Sequence, residues 1–407
     1  MKAWRGGDKM NYTARKELLK TLEGRFGNRC KPHRMHPGPL ATVLPVDAGD
    51  VGFLAKTVRR YSVAYSVTLR PTGMGTDPDL PEPTKNAVLV STEMMRAIRF
   101  PDDERSRVEV EPGVLWLDLE EKLRSSHRAL PMYPTSAPRA TVGGWIARDG
   151  VGVGSFAYGW LRESIASVEV ILPDGRLRTI EDERLGFVVG ALGTTGVIVR
   201  AALRLRKSRG DRLFAAEFAG AEALRLATSF LMEREVPIWH LGVMNPAMSR
   251  AIRSRGQYLA FGAYPASGGT VENELERALK KSRGTLLDAA ETARIWDNRF
   301  FPVVPDRPPP APGRVLVPVP RVGEVLDLLR SGPTEPAILG SVTRDGSVLL
   351  LAFKSSGTEG VLQSLDGGDE AGLVGIARSV GGDLYHTALK RRAKQAHRFC
   401  PQNRRYR

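Results

Sequence analysis

The chain has 407 residues, 42% of them hydrophobic, and its 60 Lys and Arg against 45 Asp and Glu give a formal charge of +15. That length exceeds what one core usually serves, so two closely packed domains are expected. Only Cys30 and Cys400 are present, which excludes a disulfide framework and a four-cysteine iron–sulfur or zinc site within the chain.

In chain order, Asn11 or Thr13 is placed to cap a helix with Leu18, Leu19 and Leu22 on one face, and Leu40 to Pro45 reads as a short strand. Asp47 is placed to cap a second helix carrying Val51, Leu54, Ala55 and Val58. The alternation Val63, Tyr65, Val67, Leu69 predicts a strand over 61–69. A glycine-rich turn, RPTGMGTDP, then occupies Arg70 to Pro78. Ala87 to Ser91 reads as a buried strand, Arg107 to Glu111 as a more exposed one, and Val114 to Leu123 as a helix with Val114, Leu117 and Leu123 inward.

Between Thr141 and Gly159 the sequence TVGGWIARDGVGVGSFAYG holds six glycines. Glycine lets backbone N–H groups approach phosphate oxygens where a Cβ would collide, and two such loops in one domain point to a long phosphate-bearing cofactor. Ile165 to Leu172 reads as a strand that turns at Pro173-Asp174-Gly175 into a partner, Arg176 to Ile180. Val197 to Leu205 is a further strand. Beyond about Lys207 the texture changes to that of an α+β domain, with helices over 222–235, 271–281 and 322–329 and strands over 257–264 and 347–353. The proline-rich run Pro302 to Pro320 predicts an extended crossing loop.

The order of the glycine turn, VEVEPGV, TVGG, VILPDG and GALGTTGVI resembles the FAD-binding domain of the vanillyl-alcohol-oxidase and p-cresol-methylhydroxylase superfamily, in its glycolate oxidase and D-lactate dehydrogenase branch. The resemblance covers about Pro39 to Leu205. It implies an α+β fold: a two-subdomain FAD-binding (PCMH-type) domain over 1–206 and an α+β cap, or substrate, domain with a central antiparallel sheet over 207–380. Residues 381–407 would return to the FAD domain or form a basic tail.

The resemblance also implies a set of cofactor contacts. Pro71, Thr72, Gly73, Met74, Gly75, Thr76 and Asp77 would surround the FAD pyrophosphate, with Gly73, Gly75 and Thr76 on the family's Gly-x-Gly-Thr positions. Pro134, Ser136, Thr141, Val142, Gly143 and Gly144 would line the flavin ring and pyrophosphate, and Gly154, Ser155, Tyr158 and Gly159 would continue that lining. Gly193, Thr194, Gly196, Val197 and Ile198 would meet the flavin or adenine side. Met74 stands where some relatives carry a histidine bonded to flavin, so the FAD is expected to be noncovalent. Asp77 departs from the family's serine, and a carboxylate there repels a pyrophosphate unless it turns outward or is paired.

With FAD the reaction class is oxidation of a C–H bond beside a hydroxyl: a base takes the hydroxyl proton while hydride passes to the flavin. Trp296-Asp297-Asn298-Arg299 resembles the family's tryptophan-x-x-arginine, whose arginine holds a substrate carboxylate through two hydrogen bonds. His240 and His386 are the candidate bases. Ser341 to Ser347 matches the stretch that carries metal-ligating histidines in the D-lactate dehydrogenase branch, but contains none, and no metal is expected.

The expected function is that of an FAD-dependent dehydrogenase oxidising a small 2-hydroxy acid or related alcohol, with electrons passed to a quinone or protein acceptor. The rival is a noncatalytic subunit of the same fold that docks within a flavoenzyme complex. The basic residues are scattered and form no nucleic-acid-binding motif, so the charge predicts contact with an anionic membrane surface or an acidic protein, with no nucleic acid. Apolar runs such as Val348 to Phe353 fall far short of the roughly 20 residues of a membrane-spanning helix. The segment MKAWRGGDKM has no signal-peptide core, so a cytoplasmic location, peripheral to the inner face of the membrane, is expected.

Overall fold

Helix α1 (Tyr12–Phe26) buries Leu18, Leu22 and Phe26 along one stripe and leads through β1 (Cys30–Pro32) to β2 (Ala41–Val43). The computed structural model describes residues 10, 12–33, 38–74, 86–208, 210–266, 269–300, 310–332, 334–355, 362–385 and 387. Helix α2 (Ala48–Tyr65) starts at Asp47, whose side chain accepts a hydrogen bond from the Asp50 amide, and it buries Val51, Leu54, Ala55 and Val58. Such a cap contributes about 1 kcal/mol. The strand expected from Tyr61 is corrected. The helix runs on to Tyr65, Ser66 ends it at φ 52°, and β3 (Thr68–Thr72) follows. The alternation was misleading because Val63 points into solvent, 93% exposed.

Strand β4 (Ala87–Ser91) lies between β2 and β3 and runs parallel to both, with β1 antiparallel at the edge beside β2. Asp50 is buried at the start of α2 and pairs with Arg25 and Arg29, which ties α1 and its following turn to α2.

A second, antiparallel sheet uses β5 (Ile98–Arg99) and β6 (Arg107–Val110). Next in the chain come α3 (Trp116–Arg124), β7 (Arg128–Ala129), α4 (Val142–Arg148) and the short α5 (Ser155–Tyr158). Strands β8 (Ile165–Ile171), β9 (Leu177–Glu181) and β10 (Val197–Arg204) complete the order β5-β6-β10-β8-β9. Helix α3 begins at Trp116, so its inward stripe is Trp116, Leu119 and Leu123; Val114 is buried as expected but precedes the helix, and Leu117, also expected inward, is only half-buried. Consecutive residues of β10 face opposite ways: Val197 joins the core of the first sheet and Ile198 that of the second, so one strand fastens the two layers together.

Strand β11 (Arg206–Lys207) pairs with β7, and β12 (Asp211–Phe218) opens the large sheet. The chain continues through α6 (Ala221–Glu233), β13 (His240–Met244), α7 (Pro246–Ala251), β14 (Tyr258–Pro265) and α8 (Thr270–Ser282). It then forms β15 (Thr285–Leu286), α9 (Ala289–Asp297), β16 (Gly313–Pro318), α10 (Val322–Arg330), β17 (Ala337–Val342) and β18 (Ser347–Ser355). Strand β19 (Leu362–Gln363), α11 (Gly367–Ser379) and β20 (Asp383–Leu384) follow. The order is β15-β12-β14-β13-β17-β18-β16-β20, antiparallel throughout, with β19 added on β18.

The proline-rich stretch expected to be a crossing loop is corrected where it becomes β16: Val315 and Val317 are buried and the proline of this strand, Pro318, stands at its end, where a missing N–H is tolerated. One face of the large sheet is covered by α6, α8, α10 and α11. The other packs against α7, α9, and Val151 and Trp160 from the glycine-rich segment of the amino-terminal half. The α+β fold with a central antiparallel sheet is therefore present, and the second glycine segment lies at the junction of its two halves. Among the described residues, no helix is long and apolar enough to cross a membrane.

Candidate functional site

Strand β3 carries Pro71 and Thr72 to the C-terminal end of the parallel sheet, with Thr72 Oγ1 donating to the Val90 carbonyl at 3.3 Å. Gly73 follows immediately. A Cβ there would lie 2.7 Å from Thr141 Oγ1, so the first glycine turn rests directly on the start of the second. Gly193, at φ +73°, brings a third loop in: its Cβ would lie 2.7 Å from Pro71 Cγ. Three segments far apart in sequence converge here, Gly73 and Gly193 each giving up a side chain at the contact. Met74 is half exposed beside them. Gly75, Thr76 and Asp77 lie outside the described residues.

Thr141 is buried and caps α4, its Oγ1 accepting from the Gly144 amide at 3.2 Å. The neighbouring amides are also engaged within the protein: Val142 N donates to the Val114 carbonyl at 2.8 Å and Gly143 N to that of Pro112 at 2.9 Å. Glycine is needed at 143 because Pro112 packs against it, where a Cβ would sit 2.4 Å from Pro112 Cβ. These contacts give Val142, Gly143 and Gly144 an architectural reason of their own, in place of the free phosphate donors the glycine pattern suggested. Gly196 likewise abuts the Ile171 carbonyl, and Val197 and Ile198 are core residues of β10. Thr195 Oγ1, in the loop of Gly193 and Thr194, is buried without a partner among the described residues.

A phosphate-bearing dinucleotide would meet close-packed main chain at this convergence. The cradle at Gly73 and Gly193 has no room for side chains, and the buried Thr195 hydroxyl is left for a further acceptor or donor.

Pro134 and Thr135 are buried and Ser136 half-buried, in a turn whose Ser136 carbonyl accepts from the Arg139 and Ala140 amides. Tyr133, just before this turn, is buried and accepts a hydrogen bond from Arg299 Nε at 3.1 Å. Arg299 Nη1 donates to the Trp296 carbonyl at 2.7 Å. Its guanidinium carbon lies 4.4 Å from the Trp296 ring, 4.1 Å from Phe300 and 5.7 Å from Tyr133. Arg299 is only 6% exposed, and among the described residues no ion pair closes on it, although the buried Glu120 carboxyl is near enough for the two charges to interact. Burial pushes the Tyr133 hydroxyl up to about 12 against the opposing pull of Arg299, so it stays protonated.

His240 sits at the start of β13 in the same cluster, its ring 5.7 Å from Trp296 and 6.2 Å from Trp239. Its Nδ1 accepts a hydrogen bond from the Gly154 amide at 3.2 Å, which leaves the proton on Nε2. Burial, reinforced by the charge of Arg299, lowers its pKa to about 3. The lone pair a base would use is already occupied, so the expectation of His240 as general base is corrected: it is a fixed neutral donor. Among the described residues, Nε2 of His240 and Nε1 of Trp239 are both buried without partners. His386 lies outside the described residues.

The continuation of the glycine segment is held mainly by the other half of the molecule. Gly154, at φ +99°, tolerates no side chain because the Pro131 carbonyl would be 2.1 Å from its Cβ. Ser155 is fully buried, its Oγ accepting from Gly152 N and its carbonyl from Arg344 N at 3.0 Å. Tyr158 is half-buried, and its pKa is raised by burial. Gly159, at φ +69°, makes room for the Glu163 carboxylate.

The sequence pattern brought out Arg299 and Trp296 but missed Tyr133 and Trp239. Each is adjacent to a residue that was named, Pro134 and His240, and that adjacency was the available signal. Among the described residues, no group of three or more His, Cys, Asp or Glu side chains could hold a metal ion.

Residues 39–181 match the FAD binding domain family. The chain is 32% identical over 132 residues to the D-lactate dehydrogenase [cytochrome], mitochondrial, of Arabidopsis thaliana, an alignment covering 30% of this chain and 23% of that protein. It is 31% identical over 172 residues to the D-lactate dehydrogenase of Archaeoglobus fulgidus, covering 40% of this chain and 38% of that one. The chain thus spans well under half the length of these curated relatives. A solved structure of alkyldihydroxyacetonephosphate synthase superposes with a TM-score of 0.72 at 16% identity, covering 96% of this chain and 84% of that one, which places the whole fold.

Proposed function

We propose, on the premise that residues 39–181 are an FAD binding domain of the vanillyl-alcohol-oxidase and p-cresol-methylhydroxylase superfamily, that the chain is a flavin-dependent dehydrogenase of a small 2-hydroxy acid. The observation that carries this reading is Arg299: a buried guanidinium with no carboxylate in ion-pair contact among the described residues, bonded to Tyr133 one residue before the turn expected to line the flavin. A buried cation is costly unless an anion meets it, and a planar guanidinium matches a carboxylate through two parallel hydrogen bonds. The N–H groups of Trp239 and His240, buried without partners among the described residues, add neutral donors to the same cluster.

When bound, FAD supplies the hydride acceptor. The residues of this chain supply position: Arg299 holds the carboxylate, Tyr133 holds Arg299, and the rings of Trp296, Phe300 and Tyr133 exclude water and so strengthen the ion pair. The D-lactate dehydrogenase names of the relatives support a 2-hydroxy acid as substrate class. Electrons pass on to a quinone or protein acceptor.

The test is anaerobic titration of the purified, FAD-loaded protein with a panel of 2-hydroxy acids including glycolate and both enantiomers of lactate. Bleaching of the flavin bands by one member is expected. A flavin that binds and stays oxidised across the panel would end the hydroxy-acid reading.

A further inference from the structure

The turn between β17 and β18, the one stretch of family-like sequence that the proposed chemistry leaves without a task, contacts the glycine-rich segment directly. Thr343 is fully buried, its amide donating to the Ser347 carbonyl at 2.8 Å, and its hydroxyl donates to Asp345 Oδ1. This fixes the carboxylate of Asp345, whose Oδ2 accepts from Trp160 Nε1 at 3.0 Å. The next contact is through main chain, the Arg344 amide donating to the Ser155 carbonyl at 3.0 Å, and the Arg344 side chain pairs with Glu163.

The same short segment receives further bonds from the carboxy-terminal half. Gly154 N donates to His240 Nδ1, Ala157 N to the Trp239 carbonyl, and Val151 N to the Tyr385 hydroxyl at 3.0 Å. The Tyr385 ring stacks on Trp160 with centroids 6.2 Å apart. Gly150, Gly152 and Gly154 free this stretch from side chains that would stiffen it, so its conformation is set by what it docks on.

We propose that the Thr343–Gly346 turn is a clamp that fixes the flavin-lining segment 150–160, with Asp345 as a positioning residue acting on the flavin site through Trp160. The turn that matches a metal-ligating stretch in relatives is here an anchor between the two halves of the molecule. The Trp160 indole is buried while Asp345 is exposed, so the N–H of an otherwise enclosed ring is met by a carboxylate at the surface of the junction. Flavin affinity is therefore coupled to the docking of the large sheet. This inference rests on the FAD reading only in placing 150–160 against the flavin.

The experiment compares Asp345→Ala, Trp160→Phe, the double variant and Asp345→Asn in the full chain. FAD is titrated into flavin-stripped protein by fluorescence at 10 °C, under conditions where far-ultraviolet circular dichroism shows each variant folded. Each single alanine or phenylalanine change is expected to raise the FAD dissociation constant about tenfold, the double variant no further, and Asp345→Asn, which keeps an oxygen acceptor, less than threefold. In flavin-free protein, amide hydrogen exchange over 150–160 is expected to quicken in the same variants. Folded Asp345→Ala with unchanged FAD affinity and unchanged exchange overturns the clamp, as do additive losses in the double variant. Failure of the wild-type chain to bind FAD would instead overturn the cofactor reading, leaving the exchange measurement to decide the clamp.

Discussion

The hydroxyl of Tyr133 accepts a hydrogen bond from Nε of Arg299 at 3.1 Å, joining residues 166 positions apart in the chain. It fixes the plane of a guanidinium that has no carboxylate in ion-pair contact among the described residues. Tyr133→Phe keeps the ring and removes only that acceptor, so Arg299 loses one of its two side-chain bonds and its orientation loosens. We expect KM for the hydroxy acid to rise about tenfold, equivalent to about 1.4 kcal/mol, with kcat changed less than threefold. Steady-state kinetics on the variant check this. Arg299→Lys, which replaces a planar fork by a point charge, should cost more than Tyr133→Phe in kcat/KM.

His240 gives the protein an acid-sensitive term of known sign. Its folded pKa, about 3, lies below the ordinary histidine value, so between about pH 6.5 and 3 the unfolded chain binds a proton that the folded chain refuses. Stability contributed by the neutral ring is therefore complete above that window and lost as pH falls through it, at most about 1.4 kcal/mol per pH unit. Urea unfolding of the wild type and His240→Gln at pH 7.5, 6 and 5 should show the two curves converging on acidification. Parallel curves would mean that the imidazole is not buried neutral.

Two glycines of the site are expected to separate folding from cofactor binding. At Gly143 a Cβ would press on Pro112, including its backbone, so Gly143→Ala should destabilise folding by about 2–3 kcal/mol through overpacking. At Gly73 it would meet only the Thr141 hydroxyl, a side chain able to rotate at the loss of a cap worth about 1 kcal/mol. Gly73→Ala should therefore leave the denaturation midpoint nearly in place and weaken FAD retention, measured as flavin content after gel filtration.

Asp50 is buried between two arginines, and the hydrogen bond and charge of Arg29 hold its pKa below the usual carboxylate value despite the opposing effect of burial. Asp50→Ala leaves the guanidinium groups facing each other and should cost about 3 kcal/mol, whereas Arg25→Ala, with its side chain half exposed, should cost less than about 1 kcal/mol. Chemical denaturation of both variants distinguishes these magnitudes.

Local pattern was enough to identify α2, β4, the β8–β9 hairpin and the FAD binding domain, because an Asp47 cap, an uninterrupted apolar run, a Pro-Asp-Gly turn and the ordered glycine motifs each express themselves within a few residues. The pairing of β13 with β14 and β17, and the meeting of Tyr133 with Arg299, have no local signature. Those contacts depend on which faces of distant strands come together, and no periodicity within either segment encodes its partner. The same reason explains His240. Its residue type suggested a base, but only the folded chain brings the Gly154 amide to Nδ1 and the hydrophobic rings around it, and that environment turns a titratable side chain into a neutral fixture. Sequence determined which cofactor class this chain is built for; tertiary structure decided which side chains face one another at the junction, because burial and hydrogen-bond partnership are properties of the packed whole.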